Sequence, residues 1–166
     1  QTGKRDLMPI VAIDAPHDNY YSELVEHMKK HLLKTHLISP DDLSLLRVTQ
    51  DVREAFKEVI RFYTVYNSMR YIKGMLYLRL HAVPPPEFLH QLNHDFKDII
   101  TEGRIECVPA HPFEADEPHL ANLPRIAFQF DRRALSRLRQ MVDVINDTLA
   151  SACVDDTEAC VRCKAY

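Results

Sequence analysis

The apolar pattern opens on an unbroken run, Met8-Pro9-Ile10-Val11-Ala12-Ile13, closed by Asp14. A run of this length reads as a strand buried on both faces, the kind found in parallel sheets. A turn at 15–19 follows, with Asp18 or Asn19 placed to cap a helix. The helix runs to about residue 36, with Tyr21, Leu24, Val25, Met28 and Leu32 on one stripe and Glu23, Glu26, Lys29 and Lys30 opposite. Ser39-Pro40-Asp41-Asp42 predicts a short helical turn, Ser39 capping and Pro40 first in the turn. Residues 45–49 predict a second short strand. Val52, Ala55, Phe56, Val59, Ile60 and Tyr63 then keep the 3.6-residue period of a helix over 50–66. Strand, helix, strand, helix is half of a doubly wound α/β sheet.

The pattern changes at Asn67-Ser68-Met69-Arg70, which reads as a boundary. Leu76, Leu78 and Leu80 alternate with Tyr77, Arg79 and His81, as in a half-buried strand. Pro84-Pro85-Pro86 leads into a helix bearing Leu89, Leu92, Phe96, Ile99 and Ile100, with Gly103 where a C-terminal cap belongs. A strand over 104–108, a Pro- and acid-rich loop over 109–124 and a strand over 125–130 follow. Asp131 caps a last helix, with Leu135, Leu138, Val142, Ile145 and Leu149 at heptad-like spacing, more a core seam than a dimer seam. Residues 71–150 thus predict a β-α-β-β-α unit resembling an incomplete ferredoxin-like arrangement. The expected organisation is a Rossmann-like portion over 1–66, a small α+β appendage over 67–150 and a disordered tail over 151–166.

Composition narrows the classes. The 166 residues carry a net charge of −3, against the basic excess usual for nucleic-acid binding. Only three glycines occur, too few for a glycine-rich phosphate loop. No apolar segment approaches the ~20 residues of a membrane span, and no signal-peptide pattern stands at the front. Four cysteines, three of them near the end, make no disulfide framework. The expected compartment is the cytoplasm.

Four groups of residues could carry chemistry. Asp14, Ala15, Pro16 and Tyr20 follow the first strand, at the end where α/β sheets bind ligands, so they are candidates to line a pocket. His27 and His31, and His90 and His94, have the i, i+4 spacing of metal-binding pairs, yet lack a supporting third ligand and read as solvated helix faces. Cys160-Val161-Arg162-Cys163, with Cys153, falls short of a four-thiolate zinc site, so no metal and no cofactor is expected. Arg132, Arg133 and Arg137, with Arg125 and Arg139 nearby, surround a helix start and suit an anion, unless they pair with the acidic Glu114-Ala115-Asp116-Glu117.

Gln1-Thr2-Gly3-Lys4, the Pro-Ile-Val-x-x-Asp strand, Tyr20-Tyr21, Leu37-Ile38-Ser39-Pro40-Asp41-Asp42-Leu43 and Val48-Thr49-x-Asp51-Val52 occur in this order. Together they resemble the closing part of a LONELY GUY-type Rossmann protein, a family similar to cytokinin riboside 5′-monophosphate phosphoribohydrolases and often mislabelled lysine decarboxylases. The stretch from Arg61-Phe62-Tyr63 to Phe128-Gln129-Phe130-Asp131-Arg132-Arg133 resembles an extension of longer bacterial members. The resemblance covers about residues 1–149. It implies hydrolysis of the bond between base and ribose 5-phosphate, with a nucleoside monophosphate as partner. The unpaired edges of the first strand predict association into a homo-oligomer. The family's Pro-Gly-Gly-x-Gly-Thr-x-x-Glu motif does not occur in this sequence, so no catalytic residue carries over. The expectation is a C-terminal portion of such a protein, inactive alone because it lacks both the phosphate cradle and the carboxylate that stabilises an oxocarbenium ion. The alternative is a non-enzymatic small-molecule-sensing or oligomerisation module.

Overall fold

The structure, a computed structural model, describes residues 6–153. The Gln1-Thr2-Gly3-Lys4 segment, the expected tail beyond 153 and Cys160 and Cys163 lie outside the described residues.

Strand β1 (Ile10–Ile13) pairs in parallel with β2 (Leu46–Thr49), Ile10 opposite Leu46 and Ile13 opposite Thr49. Between them run helix α1 (Tyr20–His27), its continuation as a π-helix (Met28–Leu33), and a 3₁₀ turn (Pro40–Leu45). Ser39 and Asp42 close that turn with a reciprocal capping box, as the Ser-Pro-Asp-Asp sequence predicts. Helix α2 (Val52–Phe62) follows, its first turn capped by the Asp51 carboxylate.

A second sheet is antiparallel throughout. Its strands are β3 (Tyr66–Ile72), β4 (Met75–Leu80), β5 (Ile100–Val108) and β6 (Arg125–Phe130), in the order β3-β4-β6-β5. Helix α3 (Pro86–Asp95) follows the first hairpin, and α4 (Leu135–Cys153) follows the second. Both helices share the core on one face of the sheet. There Leu76, Leu78 and Leu80 of β4 and Ile126, Phe128 and Phe130 of β6 meet Leu92, Leu138, Val142 and Ile145. Leu138, Val142 and Ile145 are fully buried, so the heptad-like stripe of α4 is a core seam. On the other face a small cluster, Ile72, Tyr77 and Ala127, lies apart from the main core.

The protein is therefore a mixed α/β structure with a two-stranded parallel sheet and a four-stranded antiparallel one. It departs from the sequence reading in four places. The described residues form no doubly wound sheet, only a single parallel pair. The appendage is β-β-α-β-β-α rather than the ferredoxin-like β-α-β-β-α, because 66–72, read as a helix end and a boundary, is a strand. A bulge between Tyr66 and Ser68 shifts its register, so Tyr66 and Met69 both face the main core, and with Ile72 buried in the cluster on the other face the burial spacing of three mimics a helix. Lys73 (φ 49°) and Gly74 (φ 89°), both left-handed, close the hairpin without the Asn-Gly or Asp-Gly that advertises such a turn.

Gly103 is likewise no helix cap. At φ 73° it sits inside β5, where pairing jumps from Glu102 opposite Gln129 to Glu106 opposite Ala127. Asn93 of α3 serves the displaced backbone: its Oδ1 accepts from the Ile105 amide (2.7 Å) and its Nδ2 donates to the Ile105 carbonyl (3.0 Å). Finally, β1 is not buried on both faces. Ile10 is 52% exposed, and Val52, Phe56, Val59 and Ile60 form an exposed apolar stripe along α2.

Helix α4 joins the two sheets. Ser136 Oγ donates to Asp42 (3.0 Å), Gln140 Nε2 donates to Asp41 (3.0 Å), and Arg139 pairs with Glu58 of α2 (2.6 Å). Asn146 is buried where α2 ends. Its Oδ1 accepts from the amides of Val65 (2.9 Å) and Tyr66 (3.0 Å), and its Nδ2 donates to the Phe62 carbonyl (2.7 Å).

Candidate functional site

The C-terminal ends of the parallel strands bring two loops together. Asp14 extends the ladder by one bond, its amide donating to the Thr49 carbonyl (2.9 Å). Its side chain turns inward and is buried. Oδ1 accepts from the Tyr21 amide (2.6 Å), and Oδ2 accepts from the Ser22 hydroxyl (2.6 Å) and amide (3.1 Å). The Ser22 hydroxyl above all, with the two amides and against burial, holds the carboxyl below its ordinary range. Asp14 thus does the capping expected of Asp18 or Asn19; Asn19 makes no side-chain cap bond. Neither predicted residue is the cap, because a carboxylate five residues upstream of the N-cap position is invisible to local spacing.

The other pocket candidates face outward. Ala15, Pro16 and Tyr20 are exposed, Tyr20 meeting Tyr21 edge to face with centroids 5.1 Å apart. His17 adopts φ 71°, folding the loop back. Gln50, just past β2, bridges to it: its Nε2 donates to the Asp18 carbonyl and to Asn19 Oδ1, each at 3.3 Å. The rim so formed carries Asp18, Asp51 and an exposed tyrosine pair.

Of the arginines expected to gather an anion, Arg133 and Arg137 line one cleft, while Arg132 packs on Tyr71. Arg137 forks onto Asp98 (2.8 and 3.1 Å), donates to the Asp95 carbonyl (2.9 Å) and lies over Phe96, 4.7 Å from the ring centroid. Its bond to Asp98 raises its pKa further. Arg132 lies over Tyr71, 4.4 Å from the ring centroid. Arg133 lines an open cleft of about 400 Å³ beside Ser39, Asp41 and Asp42, where the carboxylates offset any attraction for an anion.

The strongest electrostatic feature is the pairing of Arg125 with the acidic loop, the alternative the sequence offers to an anion site, joined by Arg79 and Arg70, which the sequence does not single out. Arg79 and Arg125, both 2% exposed, point to the sheet face away from the helices, into the loop 109–124. Glu114 accepts from Arg79 Nε (2.7 Å) and Arg125 Nε (3.0 Å), and also from the His111 amide (2.8 Å). Glu117 joins Arg79 to Arg70 at 2.7 Å each, and Asp116 completes the row on Arg70. Arg125 donates as well to the carbonyls of Leu120, Ala121 and Leu123. Burial alone would raise the Glu114 pKa, but the His111 amide and the two guanidiniums draw it below the ordinary value. The alternation Tyr77/Arg79/His81 marks a solvent face, and only the acidic Glu114-Ala115-Asp116-Glu117 hints that a loop roofs it. These charges satisfy one another and leave no ligand site.

Among the described residues, no three His, Cys, Asp or Glu side chains gather as a metal site. His94 is 2.8 Å from Asp95, while His27 and His31 pair ring to ring, centroids 4.5 Å apart. Cys107 is exposed, its thiol pKa pushed up by desolvation. No described helix is long and apolar enough to cross a membrane.

No protein-family model, characterised protein or solved structure matches the chain.

Proposed function

We propose that this chain supplies part of a nucleotide-binding parallel sheet of the kind found in phosphoribohydrolases resembling the LONELY GUY type, with the loops after β1 and β2 forming one wall of the pocket. The observation that carries this reading is the joined rim at the C-terminal ends of two parallel strands, with Gln50 bridging the loops. That is where ligands bind in open α/β sheets. The ligand is a nucleoside monophosphate, held here by its sugar and base. The phosphate cradle and the catalytic carboxylate are contributed by other residues, so these residues alone release no base. The cytoplasm, where thiols stay reduced, is the matching compartment.

Titration of the ¹⁵N-labelled chain with AMP tests the binding wall. Amide shifts confined to residues 15–20 and 50–51 support it; shifts elsewhere, or none at millimolar nucleotide, overturn it. Chromatography of the same mixtures should show no free adenine.

A second reading is favoured by the exposed stripe Val52, Phe56, Val59 and Ile60 on α2 and the single-sided pairing of β1. Contiguous exposed apolar surface marks interaction sites, and parallel strands are ordinarily covered on both faces. On that reading the parallel pair is an assembly surface of a homo-oligomer.

A further inference from the structure

The chain contains two His-x-x-x-His spacings, and the structure treats them differently. His90 and His94 lie at the end of α3, where His94 Nδ1 sits 2.8 Å from the Asp95 carboxylate. His27 and His31 lie side by side, ring centroids 4.5 Å apart and planes tilted by 34°. Both rings are exposed, so neither is held by core packing. They straddle the junction at which α1 becomes the π-helix Met28–Leu33, an element that is rare and concentrated at functional sites. Lys29, between the two histidines, is paired with Glu26 at 2.7 Å.

We propose that His27 and His31 form an exchangeable two-imidazole site for a borderline divalent transition-metal ion such as Ni²⁺, Cu²⁺ or Zn²⁺. Imidazole nitrogens suit these ions, whereas Mg²⁺ and Ca²⁺ require oxygen ligands. Two ligands one helical turn apart on a single element act as a chelate, the second bond forming at the high effective concentration set by the first. No third protein ligand gathers at the pair, so the remaining coordination positions go to water or to a donor atom of another molecule. That is an open site rather than a closed structural one.

Calorimetric titration of Ni²⁺ into the full chain tests the site. The four thiols are first alkylated, because thiolates bind the same ions. One saturable event is expected, with affinity lowered about tenfold or more by His27→Ala or His31→Ala, as when one of two linked ligands is lost. The double variant His90→Ala/His94→Ala should bind as the unaltered chain does. Saturating Ni²⁺ should also raise the melting temperature of the unaltered chain and not that of His27→Ala. Both rings are exposed, so the variants should fold, and circular dichroism checks this. Absence of saturable binding at millimolar Ni²⁺, undiminished binding by both His27→Ala and His31→Ala, or binding that follows His90 and His94 would overturn the proposal.

Discussion

Arg79 of β4 and Arg125 of β6 stand directly opposite each other across the antiparallel ladder, and both guanidiniums bond the one carboxylate of Glu114. Like charges at facing positions destabilise a sheet, and burial makes the repulsion worse. Glu114 turns that liability into a clamp that fastens the loop 109–124 onto the outer sheet face. Removing one partner of a buried charge network leaves uncompensated charge behind. Glu114→Gln should therefore lower unfolding free energy by about 3–5 kcal/mol, read from urea denaturation. A loss below about 1 kcal/mol, the range of a surface pair, would show that the network is hydrated rather than buried.

A second prediction concerns Asn146. Its three bonds satisfy the backbone where α2 stops and β3 begins, at a place sealed from solvent. Asn146→Ala orphans two amides and a carbonyl, and should cost roughly 2–4 kcal/mol in the same measurement. Asn146→Asp keeps the acceptor for Val65 and Tyr66 but sets a buried carboxylate oxygen against the Phe62 carbonyl, so at neutral pH it should cost at least as much as Asn146→Ala. Equal stability of Ala and wild-type chains would refute the account of the α2 terminus.

Acid should weaken the fold through Glu114 and Asp14, whose pKa values lie below the ordinary 4.5 and 3.8. A carboxyl with a depressed folded-state pKa contributes stability that is present above its unfolded pKa and lost as pH falls through the folded one. The urea midpoint should hold from neutral pH to about 5 and then drop steeply below about 4. Asp14→Asn should flatten that drop. Asp143 works in the opposite sense, because burial raises its pKa, so its contribution becomes less unfavourable as it takes up a proton.

The exposed stripe of α2 predicts self-association. Phe56, 66% exposed, lies mid-stripe between Val52 and Ile60. Sedimentation velocity should show concentration-dependent oligomers for the unaltered chain and a monomer for Phe56→Glu, with unfolding free energy changed by less than about 0.5 kcal/mol. A monomer in both cases would remove the assembly reading.

Periodicity revealed most helices and the strands whose side chains alternate. Leu76, Leu78 and Leu80, and the α4 stripe through Leu138, Val142 and Ile145, are core as their spacing predicts. Bulges hid the rest. The shift after Tyr66 gave β3 a helix-like burial spacing, and Gly103 looked like a cap because left-handed glycine serves caps and bulges alike. On α2, the stripe that reads as core carries two kinds of residue: Ala55 is buried and Tyr63 half-buried, while Val52 and Phe56 are exposed. Amphipathicity shows that a face is to be covered, not what covers it. In the candidate site, position along the chain located Asp14 correctly at a strand end. The direction of its side chain depends on Ser22, eight residues on, which no strand pattern encodes.

Helix α4 has one flank seated in the antiparallel core and another bonded to the turn Pro40–Leu45 and to α2. It works as a rivet through both layers rather than as a lid on either. A protease cut in the exposed connector around Leu37 would leave α4 and both of these partners on one fragment, while the other fragment, bearing β1 and α1, would depend on the β1–β2 ladder.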